Sequence, residues 1–128
     1  MNVVDSSGWL EYFADGANAD YFAPAILDFE HLLVPTISVF EVFKKMRQER
    51  GEEAALEAVA QMQRGQLVLL DAPLAVAAAE TSLIQKLPMA DAIMLTTARA
   101  NNATFWTQDE DFKGLAEVKY VAKKKAAK

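Results

Sequence analysis

Short apolar runs alternate with longer stretches in which apolar residues recur at helical spacing. Asn2-Val3-Val4, Leu32-Leu33-Val34, Leu67-Val68-Leu69-Leu70, Ala103-Thr104-Phe105-Trp106-Thr107 and Val118-Lys119-Tyr120-Val121 have the length and content of strands, and the first and third read as buried. Strands interleaved with helices are laid mostly parallel, in a sheet covered on both faces. The expected class is therefore α/β. With 128 residues, 52% of them hydrophobic, the chain suits one domain with a proper core.

The intervening stretches carry their own punctuation. Ser6, Ser7 and Gly8 can cap a helix running to about Asp15, and Gly16-Ala17-Asn18 breaks it. Residues 19–30 read as a second helix, with Phe22, Ile26 and Phe29 at helix spacing. Pro35 stops the second strand, and the next helix starts near Ser38 with Val39, Phe40, Phe43 and Met46 on its apolar side. Gly51 and Gly65 bound a helix over 52–64; Pro73 and Pro88 open helices reaching about Lys86 and Asn101. A tight turn at 108–113 precedes the last strand. The domain is expected over 1–121, with a basic tail at 122–128.

Composition excludes some chemistry. With no cysteine there is no thiolate zinc site, disulfide scaffold or cysteine nucleophile. Signal-peptide features and a run of ~20 apolar residues are both missing, so a soluble cytoplasmic protein with no membrane association is expected. A net charge of −5 argues against indiscriminate nucleic-acid binding. Yet Lys44, Lys45, Arg47 and Arg50 crowd one helix, and four of 13 basic residues lie in the tail. Local basic patches can still hold a polyanion.

Four acids, Asp5, Glu41, Asp91 and Asp109, each fall where a strand ends or a helix begins. In an open parallel sheet those places converge on one edge, outside the carboxyl ends of the strands. Each acid has a local explanation. Asp5 can cap a helix, and Ser38 with Glu41 forms a capping box. Asp91 complements a helix dipole, and Asp109 can close a turn through its own backbone. As a group they repel one another unless a cation lies between them, and oxygen-only ligands suit Mg²⁺ or Mn²⁺. The sole histidine, His31, reads as a packed or surface residue in mid-helix.

Three stretches carry a family resemblance: Val3-Val4-Asp5-Ser6-Ser7, Ala90-Asp91-Ala92-Ile93-Met94-Leu95-Thr96-Thr97-Ala98, and Thr107-Gln108-Asp109-Glu110-Asp111-Phe112. In order and spacing, with Glu41 at the place of a helix glutamate, the chain resembles a PIN-domain ribonuclease of the VapC toxin type. The resemblance covers about residues 1–121. It implies a PIN-like three-layer α/β/α fold with a short, mostly parallel central sheet. It also implies Mg²⁺- or Mn²⁺-dependent hydrolysis of RNA phosphodiester bonds, with Asp5, Glu41, Asp91 and Asp109 as the metal-binding and catalytic quartet.

Ser6 and Thr107 become supporting hydroxyls in this resemblance. Asp111 is either an outer acid or the turn residue that fixes Phe112, and the second is favoured. Lys44, Lys45 and Arg47 are candidates for gripping RNA. A basic residue often follows the threonine in this family, and here it is Gln108, so the resemblance does not carry that phosphate contact over. A cognate antitoxin and a homodimer built on helices 38–50 and 52–64 are the implied partners. A phosphatase of the haloacid-dehalogenase type would want Asp-x-Asp where Asp5-Ser6-Ser7 stands. A Toprim nuclease would want a glutamate at the end of the first strand. A catalytically silent PIN-like binding module is the alternative.

Overall fold

The computed structural model describes residues 1–124; the rest of the expected basic tail, 125–128, lies outside the described residues. Five strands, β1 (Asn2–Val4), β2 (Leu32–Pro35), β3 (Gln66–Val68), β4 (Thr104–Thr107) and β5 (Val118–Tyr120), form one sheet in the order β3-β2-β1-β4-β5. Every ladder is parallel. Six helices connect them: α1 (Ser6–Phe13), α2 (Ala19–Leu27), α3 (Thr36–Arg50), α4 (Glu52–Met62), α5 (Ala72–Gln85) and α6 (Met89–Ala100). Among the described residues no helix is long and apolar enough to cross a membrane.

Strand alternation sorts the core into two layers, because successive side chains point to opposite faces. Val4, Leu32 and Val34 pack with Trp9, Phe22, Val42 and Met62 beneath the first four helices. Val3, Leu33 and Phe105 pack with Leu87, Met94 and Leu95 on the side of α6. The chain first builds β1-β2-β3 outward, then returns to place β4 on the other flank of β1. The crevice at the carboxyl ends of β1 and β4 is thus the point where strand order reverses, the position open α/β sheets use for ligands.

Several expected boundaries shift for local reasons. The second helix ends at Leu27 instead of running to residue 30: Asp28 leaves helical geometry (φ −88°, ψ 61°), and Phe29–His31 form a 3-10 turn. His31 is therefore exposed in a turn, its Nδ1 3.0 Å from Asp28 Oδ1, and not in mid-helix. The third helix starts at Thr36, two residues before Ser38, because extended Pro35 takes the N-cap position. Ser38 then lies inside the helix, and the Ser38–Glu41 capping box does not form. The third strand is Gln66–Val68 at the sheet edge, where Leu67, Leu69 and Leu70 stay exposed instead of buried.

Gly8 is the point at which α1 presses onto the sheet. A Cβ there would meet the Phe22 ring at 2.7 Å and Val4 Cγ1 at 2.8 Å. Alanine in a helix normally gains up to about 1 kcal/mol over glycine. Overpacking of a filled site costs about 1–3 kcal/mol, so the clash outweighs that gain. Gly8→Ala should therefore lower stability in denaturant titrations; a gain would mean that the α1–Phe22 contact is looser than the structure has it.

Candidate metal centre

Four segments deliver acids to the crevice. Asp5 follows β1 as the buried N-cap residue of α1. Glu41 is on α3, and Asp91 is in the first turn of α6. Asp109 and Asp111 flank the start of a 3-10 turn directly after β4. The carboxylates of Asp91, Asp109 and Asp111 each offer an oxygen, and these lie within 4.8 Å of one another. Asp5 and Glu41 stand outside that triplet but close enough for their charges to act on Asp91.

Hydroxyl groups hold the outer pair. Asp5 Oδ2 accepts from Ser7 Oγ and Thr107 Oγ1, both at 2.8 Å. No side-chain bond from Asp5 reaches the α1 backbone, so its carboxylate does not cap the helix. Ser6 Oγ donates to Glu41 Oε1 at 2.8 Å and also approaches Met94 Sδ at 3.4 Å. Glu41 is thus aimed across the crevice toward α1.

Thr107 works twice, since its Oγ1 also accepts the Asp109 N–H at 2.9 Å. The Asp111 N–H donates to Asp109 Oδ1 at 2.9 Å. Phe112 is buried and packs on Phe105 with ring centroids 4.8 Å apart. Asp111 therefore both shapes the turn that seats Phe112 and presents its carboxylate to the triplet.

Burial and crowding raise two acids far above the usual carboxylate value of 3.8. Asp91 rises to about 7, first through burial and then through the charges of Asp5, Asp109, Glu41 and Asp111. Asp5 rises to about 6: burial dominates, the Thr107 and Ser7 hydroxyls oppose it, and the charges of Asp109 and Glu41 add to it. Neither of the two ion pairs among the described residues, His31–Asp28 and Lys45–Glu49, involves these acids. An all-oxygen donor set crowded in this way fits a hard divalent cation such as Mg²⁺ or Mn²⁺.

The basic candidates divide. Lys44 and Lys45 line a groove with Phe40, Glu41 and Gln48; Lys44 Nζ lies 5.8 Å from the centroid of the Phe40 ring, and Lys45 pairs with Glu49 at 3.1 Å. Phe40 is 60% exposed. Arg47 is exposed in the last part of α3, where its carbonyl accepts the Gly51 N–H. Sequence reasoning missed Asn18, a buried side chain whose Nδ2 donates to Gln108 Oε1 at 3.0 Å and to the Ala122 carbonyl at 3.1 Å. Its only sequence signal was a place in the helix break at 16–18.

The PIN domain family model matches residues 3–118. The fold is similar to a toxin–antitoxin complex from Klebsiella pneumoniae, with a TM-score of 0.77 and 19% identity over 92% of this chain and 95% of that one. It is also similar to VapC20 from Mycobacterium tuberculosis, described as a sarcin–ricin loop cleaving toxin (TM-score 0.75, 18% identity, 91% and 95% covered). A third likeness is to DNA-bound VapBC from Salmonella typhimurium (TM-score 0.71, 12% identity, 95% and 97% covered). At these identities the likeness is one of fold. No curated protein matches the chain in sequence.

The raised acids give stability a pH dependence of known sign. A carboxyl with a higher pKa folded than unfolded binds its proton more tightly in the native state. Its contribution is present in full below about pH 4 and is lost as pH rises through about 6 for Asp5 and 7 for Asp91. Asp91→Asn removes one of these groups. In EDTA, the melting temperature of Asp91→Asn relative to the native chain should rise between pH 5 and pH 8. A difference that stays constant over that range would mean that Asp91 is not held above its ordinary value.

Proposed function

The chain belongs to the PIN-domain family, and we propose that it is a Mg²⁺- or Mn²⁺-dependent endoribonuclease acting as the toxin of a toxin–antitoxin pair. The observation that carries the reading is the crowding of Asp91, Asp109 and Asp111 within 4.8 Å, with Asp5 and Glu41 behind them, at the strand-order reversal. Crowding carboxylates in this way is unfavourable unless a cation lies among them. Asp5, Glu41, Asp91 and Asp109 would hold the ion, and Asp111 joins them by proximity. A divalent cation held there acidifies water and neutralises charge gathering on a phosphate.

The chain's own residues supply position. Thr107 and Ser7 fix the Asp5 carboxylate, and Ser6 fixes Glu41. The turn bond from the Asp111 N–H orients Asp109. Lys44, in the groove shared with Glu41, would hold an RNA backbone, while Lys45 pairs with Glu49; Phe40 beside them offers a face on which a base can stack. Action on RNA in the cytoplasm accords with this reading.

RNA cleavage should require Mg²⁺ or Mn²⁺ and stop in EDTA, and Asp91→Asn or Asp109→Asn should lower the rate at least about 100-fold while the fold persists. Mg²⁺ at roughly tenfold above its dissociation constant should stabilise the native chain by about 1.4 kcal/mol. Asp91→Asn should gain clearly less. Cleavage that continues in EDTA would defeat the metal assignment. RNA binding without cleavage under any metal would favour the silent binding module.

The similar structures include a toxin–antitoxin complex from Klebsiella pneumoniae, which supports a protein partner that restrains the activity. A homodimer is the second proposed assembly. The sequence pointed to helices 38–50 and 52–64, where Phe40 and Leu56 are exposed, but more exposed apolar side chains lie on α5 and its junction with α6: Val76, Leu83, Ile84 and Met89 are each at least 66% exposed. That face is the better candidate for self-association. Light scattering should give a dimer at micromolar concentration and a monomer for Leu83→Glu; a monomeric native chain would remove the dimer.

A further inference from the structure

We infer that Lys123, docked at the crevice by Asn18 and Gln108, is a phosphate-binding residue for the RNA strand entering the acid site. The inference rests on the ribonuclease reading and extends it to a segment that the family motifs do not include. The α1–α2 break positions Asn18 with its amide buried. From there one Nδ2 group donates to both Gln108 and the Ala122 carbonyl, tying the chain after β5 to the turn after β4. Gln108 Nε2 continues toward the Ser7 carbonyl at 3.4 Å, and the Val121 N–H donates to the Thr107 carbonyl at 3.1 Å. Two of these contacts, from Asn18 and Thr107, hold the backbone immediately before Lys123, and the bonds of Gln108 to Asn18 and Ser7 brace them.

The position so fixed is a junction. Lys123 lines the cleft of about 590 Å³ that contains Asp109, Glu110 and Asp111. It also lines the adjoining groove that contains Lys45, Glu49 and Arg50. Ser7 and Gln108 are the other two residues common to both. The neighbouring cations have other engagements. Lys45 pairs with Glu49, Arg50 Nη1 donates to the Phe13 carbonyl, and Lys119 lies 4.4 Å over the Trp106 ring. Neither ion pair among the described residues uses Lys123.

Charge complementarity selects the occupant. Of the five acids, Asp109 and Asp111 line the cleft that Lys123 shares, and a lysine there offsets their repulsion of a phosphate that crosses it. The groove and the cleft meet at Lys123, so a phosphodiester strand lying along both passes Asp109 and Asp111, whereas an acidic protein segment gains nothing from reaching those acids.

The test uses a single-stranded RNA oligonucleotide that the native chain cleaves in Mg²⁺, with kcat and KM measured across salt concentrations. Lys123→Ala should raise KM about fivefold at low salt, as expected for one exposed charge contact. It should leave kcat within about twofold and flatten the slope of log binding against log salt by about 0.7. Lys123→Arg should restore both quantities. Asn18→Ala should reproduce the KM rise, because it releases the tail without itself meeting RNA.

Should Asn18→Ala fail to fold, the Lys123 pair decides alone. A native chain that cuts RNA while Lys123→Ala keeps its KM and salt slope would overturn this inference and leave the ribonuclease reading intact. A fall in melting temperature with an unchanged slope would make Lys123 a structural partner of the acids and also overturn it. Weakened binding of poly-glutamate with KM for RNA unchanged would assign the residue to an acidic protein partner instead. A native chain that cuts no RNA under any metal would refute the underlying reading, and this inference with it.

Discussion

Carboxylates both buried and crowded at the carboxyl ends of β1 and β4 are the constraint on which the site depends. Asp5 is buried at the end of the central strand, and Asp91 is pushed to about 7 by burial and by four neighbouring acids. Removing charge from water without an opposite charge is unfavourable, and the group responds by holding its proton. The surroundings reduce this cost without cancelling it. Hydroxyls of Ser7 and Thr107 stabilise the Asp5 carboxylate, yet burial still prevails. A tightly packed scaffold is needed to keep such groups together, and Gly8, the Phe22 contact and the Phe105–Phe112 pair supply it.

That scaffold explains why the acids are contributed by separate elements. Helices α3 and α6 both have their N-terminal turns at the carboxyl edge of the sheet, so Glu41 and Asp91 arrive from opposite layers. The turn after β4 then brings two acids at once, because the Asp109 side chain accepts the Asp111 N–H and draws the second carboxylate around. No one element can organise the site alone. Its geometry is a property of the sheet.

Much of this was legible in the sequence, for identifiable reasons. The alternation of apolar runs and helical spacing foretold a parallel sheet covered on both faces, since neither pattern depends on distant residues. Local signals failed where a nearby residue competed. Ser38 and Glu41 have the spacing of a capping box, but Pro35 starts the helix earlier, and Glu41 instead receives Ser6 from 35 residues away. Leu69 and Leu70 read as buried strand, but a sheet edge leaves them in solvent. The Asn18–Gln108 bond joins residues 90 apart, and no pattern along the chain announces it. Asp111 was read mainly as a turn residue; only the folded turn shows its carboxylate among the acids.

Anomalous diffraction from crystals soaked in Mn²⁺ tests the central claim most directly. If the acids exist to hold a cation, a Mn²⁺ peak should lie between Asp91 and Asp109, about 2.1 Å from their carboxylate oxygens, with Asp5 or Glu41 within direct or water-bridged reach. A fully ordered crevice with no anomalous peak at millimolar Mn²⁺ near pH 8, where Asp5 and Asp91 are ionised, would contradict it. The crowded carboxylates would then be a feature of the fold and not a metal centre.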